Sequence, residues 1–215
     1  MTNKRLYEEF LKKIHLDMSH EQTLFVPIIG GGQIIAEDGT LKTELAGYMK
    51  DRYANDLGVR VDVLSPDFYL LSYELGLREA LPECYDWKKM ASDLASLKRG
   101  ETVTFQDPSG CKIQKRNIGP LDIILFEGIY SCFTQFLRDM SDLVIGVYGS
   151  GKDNLGREMI RAGPPYNNGR GYSPEEIIET FLSTQFTVRK DYFSREIRKA
   201  DWILDESQKR IFMRK

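Results

Sequence analysis

The sequence is poor in cysteine and histidine and has no long apolar run. Its 215 residues include three cysteines and two histidines. Cys84, Cys111 and Cys132 form no Cys-x-x-Cys pair and have no histidine nearby, which disfavours a zinc site and a disulfide framework. The longest apolar run, at 123–126, is far shorter than the ~18 residues of a membrane span, and the N-terminus lacks the apolar segment of a signal peptide. We therefore expect a cytoplasmic protein without membrane partners.

An excess of positive charge is also missing. Lys and Arg total 30 and Asp and Glu total 32, which gives a net charge of -2. Proteins that mainly bind nucleic acid carry a basic excess, so nucleic acid is not an expected partner. Hydrophobic residues make up 41% of the chain, too many for a disordered protein. The length predicts a single domain over residues 1–215. The sequence does not fix the oligomeric state, and a homo-oligomer is left open.

Apolar runs of strand length alternate with segments of helical periodicity. This alternation predicts an α/β fold, with right-handed βαβ units around a parallel sheet sandwiched by helices. Pro27 lies inside the first apolar run, where it is unfavourable for a central strand. The run at 122–126 is continuously apolar and is expected at the centre of the sheet. Strands are predicted at 23–29, 59–64, 122–126, 143–148 and 202–204, helices at 6–16, 42–57 and 87–98, and a small hairpin at 103–115.

The segment from 150 to 172 is rich in glycine and contains Arg157, Arg161 and Arg170. A stretch of this length without periodicity is more often a functional flap than an ordinary connection. We predict a lid at about 150–172, mobile without ligand, and a solvated basic loop is the alternative interpretation.

Three predicted strands end in residues of types that bind ligands or take part in catalysis. Ligands of such sheets bind beyond the carboxyl ends of the strands. Gly30–Gly32 end the first strand, and Lys42 and Thr43 begin the next helix. Backbone amides and a helix start favour phosphate, with lysine reaching the terminal phosphates and threonine holding magnesium. Asp67 is placed to accept a proton or orient a hydroxyl, and Glu127 suits magnesium or its water shell. Each signal alone is weak, because an acid at a strand end is often a plain loop residue.

Taken in order, the motifs resemble the uridine kinase/phosphoribulokinase branch of the P-loop kinases. The resemblance covers about residues 24 to 205, and its most specific part is the Phe-Glu-Gly-Ile block. The segment 65–69 is similar to the family's Ser-x-Asp-x-Phe-Tyr, one residue shorter. The other matching segments are Pro82-Glu83-Cys84-Tyr85-Asp86-Trp87, the run 94–103, Pro120-Leu121-Asp122-Ile123-Ile124-Leu125-Phe126-Glu127-Gly128-Ile129 and Lys199-Ala200-Asp201-Trp202-Ile203-Leu204.

This resemblance implies a kinase that uses ATP, or another nucleoside triphosphate, and Mg²⁺ to phosphorylate a hydroxyl of a nucleoside, sugar or related metabolite. It implies catalytic roles for Asp67, Lys42 and Arg161, and metal binding by Thr43 and Glu127. Tyr69, Tyr85 and Trp87 are interpreted as pocket wall or core, and Asp122 as structural. The expected nucleotide-binding residues are Gly30, Gly31, Gly32, Gly39, Lys42, Thr43, Arg157 and Arg170.

The sequence departs from the family pattern at the phosphate loop and at the nucleoside pocket. Ala36 and Leu41 fill both glycine positions of the phosphate-loop motif, and ten positions separate Gly32 from Lys42, about four more than the motif has. Ala80 replaces the family's ribose-binding acid, and the segment 107–112 replaces its base-binding segment. Uridine is therefore not the expected acceptor. A catalytically inactive relative that binds a nucleotide or a partner is the alternative, and a kinase acting within nucleic acid is disfavoured by the charge.

Overall fold

The computed structural model describes residues 3–14, 16, 22–32, 40–71, 82–107, 114–149 and 195–214. Gly39, the predicted lid and its three arginines therefore lie outside the described residues. The described helices are α1 (Asn3–Leu11), α2 (Thr40–Leu57), α3 (Trp87–Lys98) and α4 (Gln135–Met140). The described strands are β1 (Leu24–Gly32), β2 (Val61–Leu64), β3 (Val103–Asp107), β4 (Gln114–Ile118), β5 (Ile123–Glu127), β6 (Ile145–Gly149), β7 (Trp202–Asp205) and β8 (Arg210–Met213).

Six of these strands form one sheet in the order β2-β5-β1-β6-β7-β8. The first five run parallel, and β8 pairs antiparallel with β7. Strands β3 and β4 form a separate antiparallel hairpin. The α/β fold with a parallel sheet and a small hairpin is therefore confirmed. The central position predicted for β5 is wrong, because β1 and β6 occupy the middle of the sheet.

Helices cover both faces of the sheet, so β1 is apolar on both sides. Val26 and Ile28 are buried on the face covered by α1 and α2, where they belong to the same core cluster as Leu45. Phe25 points to the opposite face, which α3 and α4 cover, and its ring contacts that of Phe126. Alternate residues of a strand point to opposite faces, which explains this division. No helix in the described part of the chain is long and apolar enough to cross a membrane.

Pro27 is accommodated in β1 although β1 is a central strand. The N–H of Phe25 donates to the carboxylate of Asp142, and the C=O of Phe25 accepts from the backbone N–H of Asp142. Asp142 lies on the side of the sheet where β6 lies. Amide groups alternate sides along a parallel strand, so the nitrogen of Pro27 faces that same side. Pairing of β1 with β6 begins only at Ile28. Pro27 therefore lies just before this ladder, and its missing N–H removes no bond from it.

The ends of α3 are encoded locally and agree with the prediction. The carboxylate of Asp86 accepts a hydrogen bond from the backbone N–H of Lys89, which caps the start of the helix. Gly100 has φ +80°, a left-handed conformation that ends helices and favours glycine. Helix α1 ends at Leu11, earlier than the predicted Leu16, and α2 begins at Thr40, two residues before Lys42.

Candidate active site

The carboxyl ends of three adjacent strands bring Gly30, Asp67 and Glu127 to one edge of the sheet. Strand β5 lies between β2 and β1. Glu127 is the last residue of β5 and is in register with Ile28 of β1, two residues before Gly30. Asp67 follows three residues after the end of β2. Strands β1 and β2 are not neighbours, and β5 between them places Glu127 between the other two positions.

Lys42 and Glu127 form a buried ion pair at this edge. Lys42 is 5% exposed, and its Nζ lies 3.8 Å from Oε2 of Glu127. The hydroxyl of Thr43 donates to the other carboxylate oxygen, Oε1, at 3.2 Å. Burial raises the pKa of Glu127, and the charges of Lys42 and Asp67 act on it in opposite directions. Oε2 of Glu127 is buried and accepts no hydrogen bond within the described residues, which leaves it as an acceptor for a ligand, a water or a metal.

Gly30 makes room for the side chain of Lys42. A Cβ atom at position 30 would lie 2.5 Å from Cδ of Lys42 and 2.8 Å from its Cβ and Cγ. The lysine stem thus crosses the strand end at van der Waals contact with the glycine backbone. Gly30–Gly32 belong to β1 and pair with Val147–Gly149 of β6, rather than forming the phosphate-binding turn expected after the strand.

Asp67 lies in a short 3-10 turn, Pro66–Tyr69, that follows β2. Oγ of Ser65 accepts the backbone N–H of Asp67 at 3.2 Å and caps this turn. The residue as a whole is exposed, yet protein packed around its carboxyl group removes water there and raises the pKa of Asp67. The positive charge of Lys42 and hydrogen bonds with Ser65 and Tyr85 act in the opposite direction. The charge of Lys42 therefore acts on both acids, and the charge of Asp67 acts on Glu127.

Gly128 sets the distance between this turn and β5. A Cβ atom at position 128 would lie 2.7 Å from Cδ and 3.0 Å from Cγ of Pro66. Because proline is rigid, only glycine lets the Pro66 turn approach the end of β5 this closely. In the sequence Gly128 stands out only as part of a motif, since no local signal reveals a contact with residue 66.

Four aromatic rings form a group beside Asp67: Tyr85, Trp87, Tyr130 and Phe133. The rings of Tyr85 and Tyr130 lie 5.4 Å apart, and those of Trp87 and Phe133 are stacked at 5.1 Å. The hydroxyl of Tyr85 donates to Oδ1 of Asp67 at 3.4 Å. The sequence suggested pocket wall or core for Tyr85, which agrees with its packing. It did not reveal the polar contact, because the two residues are 18 positions apart.

The structure thus brings together five of the predicted site residues: Gly30, Lys42, Thr43, Asp67 and Glu127. The described residues contain no group of three or more His, Cys, Asp and Glu side chains able to hold a metal ion. A metal at this edge would have the Thr43 hydroxyl and Oε2 of Glu127 as protein ligands. Such a sparse oxygen set suits Mg²⁺, which keeps several waters and binds substrate phosphates.

Asp122, the acid at the opposite end of β5, has a structural role. Its carboxylate accepts hydrogen bonds from the backbone and the guanidinium of Arg60, at the start of β2. The bond with Arg60 lowers the pKa of Asp122. This contact ties β2 to β5 at their amino ends and gives Asp122 a structural role, although the sequence did not indicate its partner.

The chain is similar to known kinases in sequence. A model of the phosphoribulokinase/uridine kinase family matches residues 76–211, more than half of the chain. This range contains Glu127 but begins after Lys42 and Asp67. The uridine kinase of Mycoplasma genitalium is 27% identical over 163 residues, which cover 71% of this chain and 74% of that protein. The uridine kinase of Mycoplasma pneumoniae is 25% identical over 192 residues, 84% of each chain.

The fold recurs in a solved structure. The phosphoribulokinase from Rhodobacter spheroides superposes with a TM-score of 0.60 at 13% sequence identity, covering 86% of this chain and 71% of that one. At this identity the likeness concerns the fold alone. It agrees with the helix-covered parallel sheet described above.

Proposed function

Because this chain belongs to the phosphoribulokinase/uridine kinase family, we propose that it is a phosphotransferase that uses ATP and Mg²⁺. The acceptor is a hydroxyl of a small molecule, such as a nucleoside, a sugar or a related metabolite. The observation that carries this proposal is the convergence of Lys42, Thr43 and Glu127 with Asp67 at adjacent strand ends. A lysine for phosphate, oxygen ligands for a metal and an acid for the acceptor are the groups that phosphoryl transfer needs.

The donor side of the site would consist of Lys42, Thr43 and Glu127. Lys42 would bind the terminal phosphates of the nucleotide, and its contact with Gly30 would fix where the ammonium lies. Thr43 and Glu127 would hold Mg²⁺ directly or through water, and the unbonded Oε2 of Glu127 supports this role. When bound, Mg²⁺ neutralises phosphate charge. Gly30 would act indirectly, through its packing against Lys42, because Gly30–Gly32 pair with β6 and form no phosphate-binding turn. Gly39 enters the proposal from the family resemblance alone.

The acceptor side would depend on Asp67. Its carboxylate would accept the proton of the attacking hydroxyl or orient that hydroxyl toward the γ-phosphate. Protein packed around the carboxyl raises the pKa of Asp67, which makes this carboxylate a stronger base than one fully surrounded by water. The positive charge of Lys42 acts in the opposite direction, since it favours the ionised form.

Arg157, Arg161 and Arg170 enter the proposal from the family resemblance alone. They would close over the transferring phosphoryl group and neutralise its charge. Uridine would be a poor acceptor, because Ala80 and the segment 107–112 replace the groups that contact ribose and base in the family. Both predictions concern segments that lie wholly or partly outside the described residues.

The first experiment is a thermal-shift assay with ATP, GTP and Mg²⁺. A nucleotide at 100 times its dissociation constant stabilises a protein by ~2.7 kcal/mol, or ~5–10 °C for a chain of this size. The second measures ADP release with a panel of acceptors that includes uridine, cytidine, ribose, fructose and glycerate. We expect a nucleotide shift, turnover with a non-nucleoside acceptor and little turnover with uridine.

Three other outcomes would count against parts of the proposal. Rapid uridine phosphorylation would refute the acceptor argument. A nucleotide shift without turnover on any acceptor would favour an inactive, nucleotide-binding relative. Absence of both would contradict the proposed donor site.

A further inference from the structure

Tyr85 is distinguished from its neighbouring rings by its polar contact with Asp67. The residue is 6% exposed, and its ring lies 5.4 Å from the rings of both Trp87 and Tyr130. Packing on two sides leaves the ring little rotational freedom, so the hydroxyl has a defined position. That position is 3.4 Å from Oδ1 of Asp67.

Backbone contacts hold the segment of Tyr85 against the turn that carries Asp67. Leu70 and Tyr85 form an antiparallel bridge. On either side of it, the N–H of Asp86 donates to the carbonyl of Tyr69 at 2.8 Å, and the N–H of Leu71 donates to the carbonyl of Cys84 at 2.8 Å. The two side chains therefore meet because their main chains are fixed to each other.

We propose that Tyr85 is a positioning residue for Asp67, with a hydroxyl that holds the carboxylate turned into the cleft as an acceptor. The inference rests on the proposed function, in which Asp67 receives the proton of the attacking hydroxyl. In that step the acceptor O–H bond breaks, the oxygen bonds to the γ-phosphorus, and the proton passes to Asp67 as ADP leaves. Tyr85 keeps its own proton throughout.

The groups around Asp67 determine the direction in which the hydrogen bond from Tyr85 shifts the pKa of Asp67. Lys42 of α2 and the hydrogen bonds with Ser65 and Tyr85 favour the carboxylate, while burial opposes it. Glu127 of β5 is the neighbouring negative charge, and the two acids repel each other. A donor to the carboxylate stabilises the ionised form, so its removal raises the pKa of Asp67. At 3.4 Å the bond is long, and the expected effect is moderate.

The test compares Tyr85→Phe with wild type and with Tyr130→Phe as a matched control. Both substitutions remove one hydroxyl and keep the ring, so the aromatic packing is retained. Tyr130 contacts Tyr85 but is not among the groups that shift the pKa of Asp67. The readout is the ¹³C NMR titration of the Asp67 carboxyl in the ligand-free protein, assigned by its absence in Asp67→Asn. We expect a higher midpoint for Tyr85→Phe and an unchanged one for Tyr130→Phe. An unchanged or lower midpoint in Tyr85→Phe overturns the proposal.

A kinetic measurement with ATP, Mg²⁺ and an active acceptor from the panel separates positioning from a purely structural role. At acid pH, kcat of Tyr85→Phe should fall about threefold to tenfold, the range of a weak hydrogen bond to a charged group. The acid limb of its pH profile should move to higher pH, with KM for ATP unchanged. An equal loss at every pH would contradict positioning. If wild type transfers no phosphoryl group, the proposed function fails, while the NMR titration still decides whether Tyr85 holds Asp67.

Discussion

The side chain of Lys42 passes directly over Gly30, so the position of the proposed phosphate-binding ammonium depends on the absence of a side chain at residue 30. The stem atoms Cβ, Cγ and Cδ of the lysine all lie within 2.8 Å of the site that a Cβ at residue 30 would occupy. Real Cβ contacts are longer, so any larger residue there must displace either the lysine or the strand. The contact between Gly30 and Lys42 links the end of β1 to the start of α2.

Gly30→Ala should therefore weaken nucleotide binding and turnover together. A displacement of about 1 Å in a catalytic group costs about 10²-fold in rate, and we expect a loss of ~10- to 100-fold with a smaller ATP-induced thermal shift. Gly47→Ala in α2 is the control, because a Cβ there meets nothing within 4 Å. That change should raise stability by ~0.5–1 kcal/mol, since alanine favours helix over glycine. Wild-type turnover in Gly30→Ala would show that Lys42 is not held by this contact.

Substitutions of Lys42 and Asp67 should have different effects on nucleotide binding and on activation of the acceptor. Asp67→Asn should reduce turnover by about 10²–10³, the usual cost of removing a preorganised charge, while the ATP-induced thermal shift is retained. Lys42→Ala should reduce both, because it removes the only cation paired with Glu127 in the described part of the chain. Turnover by ADP release and binding by thermal shift measure the two effects independently. Loss of ATP binding in Asp67→Asn would contradict the assignment of this acid to the acceptor side.

Gly128→Ala should impair the acceptor side alone. The added Cβ would lie 2.7 Å from Cδ of Pro66, and the rigid ring would move the turn that carries Asp67. We expect kcat to fall by ~10- to 100-fold with little change in ATP binding, since Lys42 and Thr43 are not displaced. A loss of ATP binding of similar size would mean that the substitution disturbs Glu127 instead.

The raised pKa of Asp67 predicts how stability depends on pH. A carboxyl with a raised pKa holds its proton more tightly in the folded state than in the unfolded state, so stability falls as pH rises between the two pKa values. Above that window, Asp67→Asn should therefore have a slightly higher Tm than wild type. Below the ordinary carboxyl pKa, the difference should disappear. The accessible face of Asp67 keeps the gain small, and the exposed Asp51→Asn serves as the control in thermal melts across pH. A gain that is independent of pH would refute this explanation.

Local sequence signals were sufficient for the elements with clear boundaries. Helix α3 has the predicted range because Asp86 caps its start and Gly100 follows its end. Strand β5 was predicted from its apolar run, since a strand covered on both faces needs apolar residues at every position. The acids at the strand ends were found in the same way, because the end of a strand is visible in the sequence.

Relations between distant segments were not predictable in this way. In the order β2-β5-β1, the third strand of the chain to join this sheet lies between the first two. This order depends on which apolar faces pack together after long crossovers, and periodicity carries no information on that choice. Pro27 illustrates the same limit, since its tolerance in a central strand depends on where β6 begins to pair.

By itself, the sequence determined the α/β class, the range of α3 and the candidate residues Lys42, Thr43, Asp67 and Glu127, because periodicity, capping and strand ends are short-range properties. Only the tertiary structure decided that Glu127 pairs with Lys42 and that Tyr85 reaches Asp67. It also decided that Lys42 packs closely on Gly30, and that the turn carrying Asp67 packs closely on Gly128. These relations join residues from separate elements. Their distances are fixed by sheet order and side-chain packing, which are properties of the whole folded chain rather than of any segment of it.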